Sequence, residues 1–286
     1  MNRSPLSLVP VCALFCGVAL GQAPFLHNGV TAHRGNSGEC PENTLRAYAS
    51  AIALGADWIE LDVHLTKDHQ LVISHDNDTG HTGDKKLGIA HSTYAELLTA
   101  DVAAGFRTAR KRSLADCPPV RMPLFADALR LVMRQNRTRV SIQPKDDCVQ
   151  EVFNVVRELN AEKWIGFNDG SLAKMRQVKT LSKTVPVFWD RDAGFDVDTD
   201  IRTAHEEGFE SLVVQAKGLT KEKTDKIRSA GLEVGVWTVN DEAAMKTFLA
   251  MGVQRIYTDY PARLLRLKAG AERPPQPGEG KHSAVR

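Results

Sequence analysis

The chain of 286 residues has no excess of charge of one sign: 37 basic residues stand against 35 acidic ones, a formal net charge of +2. Nucleic-acid binding draws on a basic stripe or patch, and this near-balance supplies none. Basic amphipathic segments are missing as well, so nothing favours attachment to a membrane surface. Cysteine is sparse, five in all and without CxxC spacing, which argues against thiolate metal sites. No GxGxxG follows any predicted strand, so an open dinucleotide-binding sheet lacks its signature. The apolar run over residues 8–20 falls short of the ~20 residues that a bilayer-spanning helix needs.

What is present begins with that run. Arg3 precedes it, Ala19 lies at its end and Gly21 and Ala23 follow, the pattern of a secretory leader with its cleavage site. Residues 1–23 are therefore expected to be removed, leaving a secreted or periplasmic chain with no integral membrane segment. The mature part keeps Cys40, Cys117 and Cys148. One disulfide among them is open in an oxidising compartment, with no pair singled out. No pattern sets an oligomeric state.

From residue 30 to residue 267, short β-branched runs alternate with stretches of helical period. Strands are expected at 30–33, 58–63, 71–75, 139–143, 164–167, 185–189, 211–214, 233–239 and 255–258. Helices are expected at 43–54, 125–134, 149–159 and 242–251. Such alternation argues for βα units and a parallel sheet. Nine strands is one too many for an eight-stranded barrel, and 64–70 is too short for a parallel crossover. The strand at 71–75 should therefore fold back on its predecessor as a hairpin. The expected fold is α/β: a (β/α)8 TIM barrel over 24–270, with residues 77–122 inserted between the second strand and second helix and packed over the barrel mouth. Residues 271–286, rich in Pro and Gly, read as a flexible tail.

Active sites of such barrels lie at the C-terminal strand ends. There the sequence places His33-Arg34-Gly35, then Glu60 and Asp62, then Gln143-Pro144-Lys145, and His75-Asp76 on the folded-back strand. Glu60 and Asp62 are two apart and share one face of a strand, while Ile59, Leu61 and Val63 form the apolar complement. Two carboxylates facing inward repel unless a divalent cation lies between them, and oxygen donors suit Ca2+ or Mg2+. Arg34 and Lys145 suit a phosphate, and His33 and His75 suit proton transfer near neutral pH.

The His33-Arg34-Gly35, Pro41-Glu42-Asn43-Thr44, Glu60-Leu61-Asp62-Val63, His75-Asp76, Trp237-Thr238-Val239-Asn240 and Thr258-Asp259-Tyr260-Pro261 segments, in this order, resemble the motifs of the glycerophosphodiester phosphodiesterase family. The resemblance covers residues 30–267. It implies metal-dependent hydrolysis of a glycerophosphodiester to glycerol 3-phosphate and an alcohol, through a cyclic phosphate formed by the substrate's own 2-hydroxyl. His33 and His75 would be the acid/base pair, Glu60 and Asp62 the ligands of Ca2+ or Mg2+, Arg34 the phosphate holder and Trp237 a wall of the pocket. Glu42 and Asn43 would support them. The family has Glu-x-Lys on the third strand where this chain has Gln143-Pro144-Lys145, so a neutral amide replaces an anionic ligand, with Asp146 or Asp147 as a substitute. The alternatives are a phospholipase D-like enzyme acting on sphingomyelin or lysophospholipid, and a non-catalytic barrel with a weakened metal site.

Overall fold

The computed structural model describes residues 29–271. The expected leader lies outside the described residues, as does all of the tail beyond residue 271.

Eight parallel strands close into a barrel: β1 (Val30–Ala32), β2 (Trp58–Leu65), β4 (Arg139–Pro144), β5 (Ile165–Asp169), β6 (Val187–Arg191), β7 (Ser211–Gln215), β8 (Glu233–Trp237) and β9 (Arg255–Thr258). Closure comes from β1, which pairs with both β2 and β9. The extra strand β3 (Leu71–Ile73) is antiparallel to β2, with Val63 opposite Ile73 and Leu65 opposite Leu71. The hairpin is there as the short connection demanded. β6 begins two residues later than expected and runs on to Arg191, which moves Asp190 from a loop into the wall.

Helices α1 (Leu45–Leu54), α4 (Phe125–Val132), α5 (Val149–Glu158), α6 (Leu172–Leu181), α7 (Val197–Glu207), α8 (Lys221–Ser229), α9 (Glu242–Met251) and α10 (Pro261–Ala271) follow the wall strands. Residues 77–122 carry two further short helices, α2 (Tyr94–Leu97) and α3 (Ala104–Arg110). The first barrel helix shows how its ends are specified. Thr44 caps the start, its hydroxyl accepting from Ala47 N at 3.2 Å. Gly55, left-handed at φ 84°, ends it: Gly55 N donates to Ile52 O and Ala56 N to Ala51 O, a paired closure that turns the chain into β2.

Strand alternation sorts the residues into two layers. Ile59, Leu61, Val63, Val140, Ile142, Val234 and Val236 face outward into the helix-packed core. The opposite parity fills the barrel: Trp58, Phe188, Val213 and Tyr257 form a buried cluster against Trp237. Each such apolar side chain contributes roughly 1.5–3 kcal/mol by leaving water. Arg255 is fully buried among them, paired with Glu233 and lying 3.8 Å from the Phe188 ring centroid. Removing one partner of such a pair would strand a buried charge, at about 3–5 kcal/mol. The barrel is therefore plugged from within, and side chains farther along the same strands are polar and meet at its mouth. Cys40, Cys117 and Cys148 are all buried and stand as free thiols. No helix of the described residues is long and apolar enough to cross a membrane.

Candidate active site

The turn after β1 organises the site. Arg34 and Gly35 are both left-handed, at φ 55° and 83°. Gly35 is required there twice over, since a Cβ would also lie 2.7 Å from the Ala47 Cβ. The turn aims Arg34 N at Glu60 Oε2, 3.1 Å away. It also brings the Arg34 guanidinium 2.9 Å from Glu42 Oε1, with Nε 3.7 Å from Asp62 Oδ2. Asn43, left-handed as well, donates from Nδ2 to Asp62 Oδ2 at 2.9 Å and accepts from the Tyr48 hydroxyl at 2.9 Å. Glu42 and Asn43 thus brace the arginine and the second carboxylate.

His33, Arg34, Glu60, His75, Gln143 and Trp237 line one cavity of about 410 Å3 at the barrel mouth. His33 Nδ1 lies 2.7 Å from Asp259 Oδ1. That carboxylate is itself held by Ser37 Oγ at 3.0 Å and Asn240 Nδ2 at 2.6 Å. His75 Nδ1 lies 2.7 Å from Asp76 Oδ1. In both histidines a carboxylate engages Nδ1, which fixes the ring and leaves Nε2 as the nitrogen open to a ligand. Burial alone would lower the His33 pKa, but the Asp259 hydrogen bond and the nearby Glu60 outweigh it and the net shift is upward. Asp259 moves the other way, held low by His33, Asn240 and Ser37 against its own burial.

Glu60 and Asp62 are almost fully buried, at 3% and 1% exposure. Burial, then repulsion from Asp62, raises Glu60 to about 7, with His33 and Arg34 opposing the shift. Asp62 Oδ1 has no hydrogen-bond partner, though Lys145 Nζ stands 3.5 Å away. Lys145 also donates to Gln143 Oε1 at 3.0 Å. Among the described residues no three His, Cys, Asp or Glu side chains gather closely enough to hold a metal unaided.

Asp146 does not reach this cavity. It accepts from Leu65 N at 2.7 Å and stands 3.1 Å from His64 Nδ1, and Asp147 is exposed. His64, the first residue of the expected 64–70 connection, lies instead on β2 and is buried. The carboxyl that does enter is Asp190 on β6, which sequence reasoning missed because the expected strand stopped at residue 189. Asp190 Oδ2 accepts from Gln143 Nε2 at 3.3 Å and Asn168 Nδ2 at 3.1 Å. With only amides as partners, burial pushes it up to about 8, helped by Asp169 and Glu60.

This shift fixes the sign of a pH effect. The folded state holds the Asp190 proton more tightly than the unfolded chain does, so its contribution is fully present below the ordinary value of 3.8 and is lost as pH rises to about 8. Asp190→Asn keeps the shape and removes the ionisation. In chelator, its melting temperature relative to wild type should climb steadily from pH 5 to pH 8 and then level. A difference that stays constant over this range would show that Asp190 is not buried as a neutral acid.

Comparison with known proteins agrees with this architecture. The model of the glycerophosphoryl diester phosphodiesterase family matches residues 33–263. A glycerophosphodiester phosphodiesterase of Bacillus altitudinis is 29% identical over 84% of this chain and 97% of its own. A lysophospholipase D of Rattus norvegicus is 23% identical, over 82% of this chain and 83% of its own. Among solved structures, an Oleispira antarctica phosphodiesterase in complex with its product sn-glycerol 3-phosphate superposes with a TM-score of 0.74, at 22% identity over 86% of this chain and 98% of that one. The chain belongs to the glycerophosphoryl diester phosphodiesterase family and is a phosphoric diester hydrolase.

Proposed function

We propose that the chain hydrolyses glycerophosphodiesters to glycerol 3-phosphate and an alcohol, with His33 and His75 as a two-histidine acid/base pair. The observation that carries this reading is the pairing itself: two imidazoles, each with Nδ1 on a carboxylate, share one cavity with Arg34. One Nε2 takes the proton of the glycerol 2-hydroxyl as its oxygen attacks phosphorus. The other gives a proton to the alcohol oxygen as its bond to phosphorus breaks. Water then opens the cyclic phosphate with the two roles exchanged. Arg34 offers two N–H groups to the phosphate oxygens, and the unpartnered, buried Trp237 Nε1 offers a further donor.

The buried acids fit a hard divalent cation. Asp62 Oδ1 has no hydrogen-bond partner among the described residues, and burial together with repulsion from Asp62 holds the Glu60 proton to about pH 7. Glu60, Asp62 and the Gln143 amide oxygen would hold Ca2+ or Mg2+, which when bound offsets charge developing on the phosphate. Gln143→Glu adds an anion beside Asp190 and should tighten Mn2+ binding about tenfold, while lowering the melting temperature in chelator. Superimposable metal titrations would exclude Gln143 from the metal's surroundings.

The similarity to a lysophospholipase D favours a second reading, with a lysophospholipid as substrate. Glycerophosphocholine and a diester analogue lacking the glycerol 2-hydroxyl separate the possibilities. The diester should give glycerol 3-phosphate and the analogue should be inert. Turnover of the analogue would overturn the cyclic route, and turnover of lysophosphatidylcholine alone would favour the second reading. The leader pattern supports action outside the cytoplasm, and amino-terminal sequencing of the exported protein should find a start just after residue 23.

A further inference from the structure

His33 and Arg34 line not one cavity but two. The second, about 400 Å3, lies on the other side of them, between the barrel rim and the inserted helix α3. Among the described residues Thr238 is the only other one common to the linings of both. The two spaces differ in chemistry. The inner one presents hydrogen-bonding groups of the barrel strands, Glu60, Gln143, Asn168 and Asp190. The outer one has an apolar wall of Val102, Phe106 and Ala109, with Arg110 beside it.

The outer wall is firmly placed. Gly105 N donates to Thr82 O at 2.8 Å, and a Cβ at Gly105 would sit 2.2 Å from His81 O, so α3 lies in direct backbone contact with the preceding loop. Asp101 ties the base of the helix down, pairing with Arg107 and accepting from Val120 N at 2.8 Å. Arg110 reaches across to the barrel rim, where it donates to the Tyr260 hydroxyl at 3.0 Å, and its guanidinium stands 5.8 Å from the Phe106 ring centroid.

Both carboxylates that line this outer space already have partners among the described residues. Glu42 is already matched by Arg34 at 2.9 Å, and Asp259 by His33 at 2.7 Å. Arg110 forms no ion pair among the described residues, its polar contact being the neutral Tyr260 hydroxyl. A guanidinium outside any ion pair among the described residues, with Glu39 and Asp259 favouring its charge only at longer range, stands beside an aromatic ring and suits an anionic group on a short carbon body.

We infer that the outer cavity is the leaving-alcohol subsite, that it is built to take an alcohol with an anionic end such as a carboxylate, and that Phe106, Ala109 and Arg110 of the inserted helix set this preference. The inference rests on the glycerophosphodiester reading, in which the phosphate sits at His33 and Arg34. The glycerol half carries two hydroxyls and so suits the inner cavity, where Glu60, Gln143, Asn168 and Asp190 supply hydrogen-bonding partners. The departing half is then directed across Arg34 to α3.

Two variants test this with different readouts. Ala109→Trp fills the outer space from an exposed helix position. It should raise KM for glycerophosphodiesters about tenfold or more, while the inhibition constant for glycerol 3-phosphate, which needs only the inner cavity, stays within about twofold. Arg110→Gln should lower the preference for glycerophosphoserine over glycerophosphocholine, as a ratio of kcat/KM values, about tenfold. A KM and an inhibition constant that rise together in Ala109→Trp, or that both stay put, would overturn the two-cavity assignment. A selectivity ratio unmoved by Arg110→Gln would overturn the anionic preference. If the wild type releases no glycerol 3-phosphate from any diester, the underlying reading fails and this one with it; a wild type that turns over with unaltered variants defeats the inference alone.

Discussion

His33→Ala and His75→Ala should each lower kcat/KM on a glycerophosphodiester by about a thousandfold, the usual worth of a positioned acid or base. The two losses should not multiply. In the proposed mechanism each histidine serves one half of a coupled proton transfer, so once either is gone the other has little left to contribute. The double variant should sit within about tenfold of the singles. Both side chains are partly exposed, at 19% for His33 and 36% for His75, so truncation leaves no buried void and folding should survive. Losing His33 also frees Asp259, which keeps Ser37 and Asn240 as partners. Near-wild-type turnover in either variant, with the melting temperature preserved, would remove that histidine from the chemistry.

Asp62→Asn is the second large effect. The substitution keeps the size of the side chain and deletes the more deeply buried of the two charges. Replacing a group that only supports a metal ligand commonly costs 10–100-fold in affinity, so a direct ligand should cost about 100-fold or more. Mn2+ binding followed by electron paramagnetic resonance reads this without reference to turnover. The Glu60 carboxyl, freed from the repulsion that helps to raise it, should then ionise at lower pH. Unchanged Mn2+ affinity in Asp62→Asn would place the metal elsewhere.

Much of this arrangement was legible in period-two alternation. Trp58, Glu60 and Asp62 climb one face of β2 from the packed plug to the mouth, and Ile59, Leu61 and Val63 take the other. That pattern identifies a wall strand bearing inward acids before any tertiary contact is known. The hairpin was legible for a different reason, chain length: a connection as short as 64–70 cannot cross over to a parallel neighbour. What escaped detection was long-range. Asp259 meets His33 across 226 residues because β9 and β1 close the barrel. It belonged to a motif without having a task. Asp190 meets Gln143 across 47 residues, and its strand starts later than β-branched composition implied. An aspartate after Trp189 reads as a turn residue until the register puts it on the inward face two positions beyond Phe188. The same register explains Gln143. Its amide can donate to Asp190 and accept from Lys145 at once, which a carboxylate at that position could not do.

The most direct test of the account is a 31P NMR time course of the purified protein with glycerophosphocholine, run with Mg2+ or Ca2+ and again after chelation. The account predicts that the diester resonance gives way to glycerol 3-phosphate, with a transient cyclic phosphate when turnover is slowed, and that chelation stops the change. Phosphocholine as the phosphorus-containing product, or an unaltered diester resonance with either metal present, would contradict it.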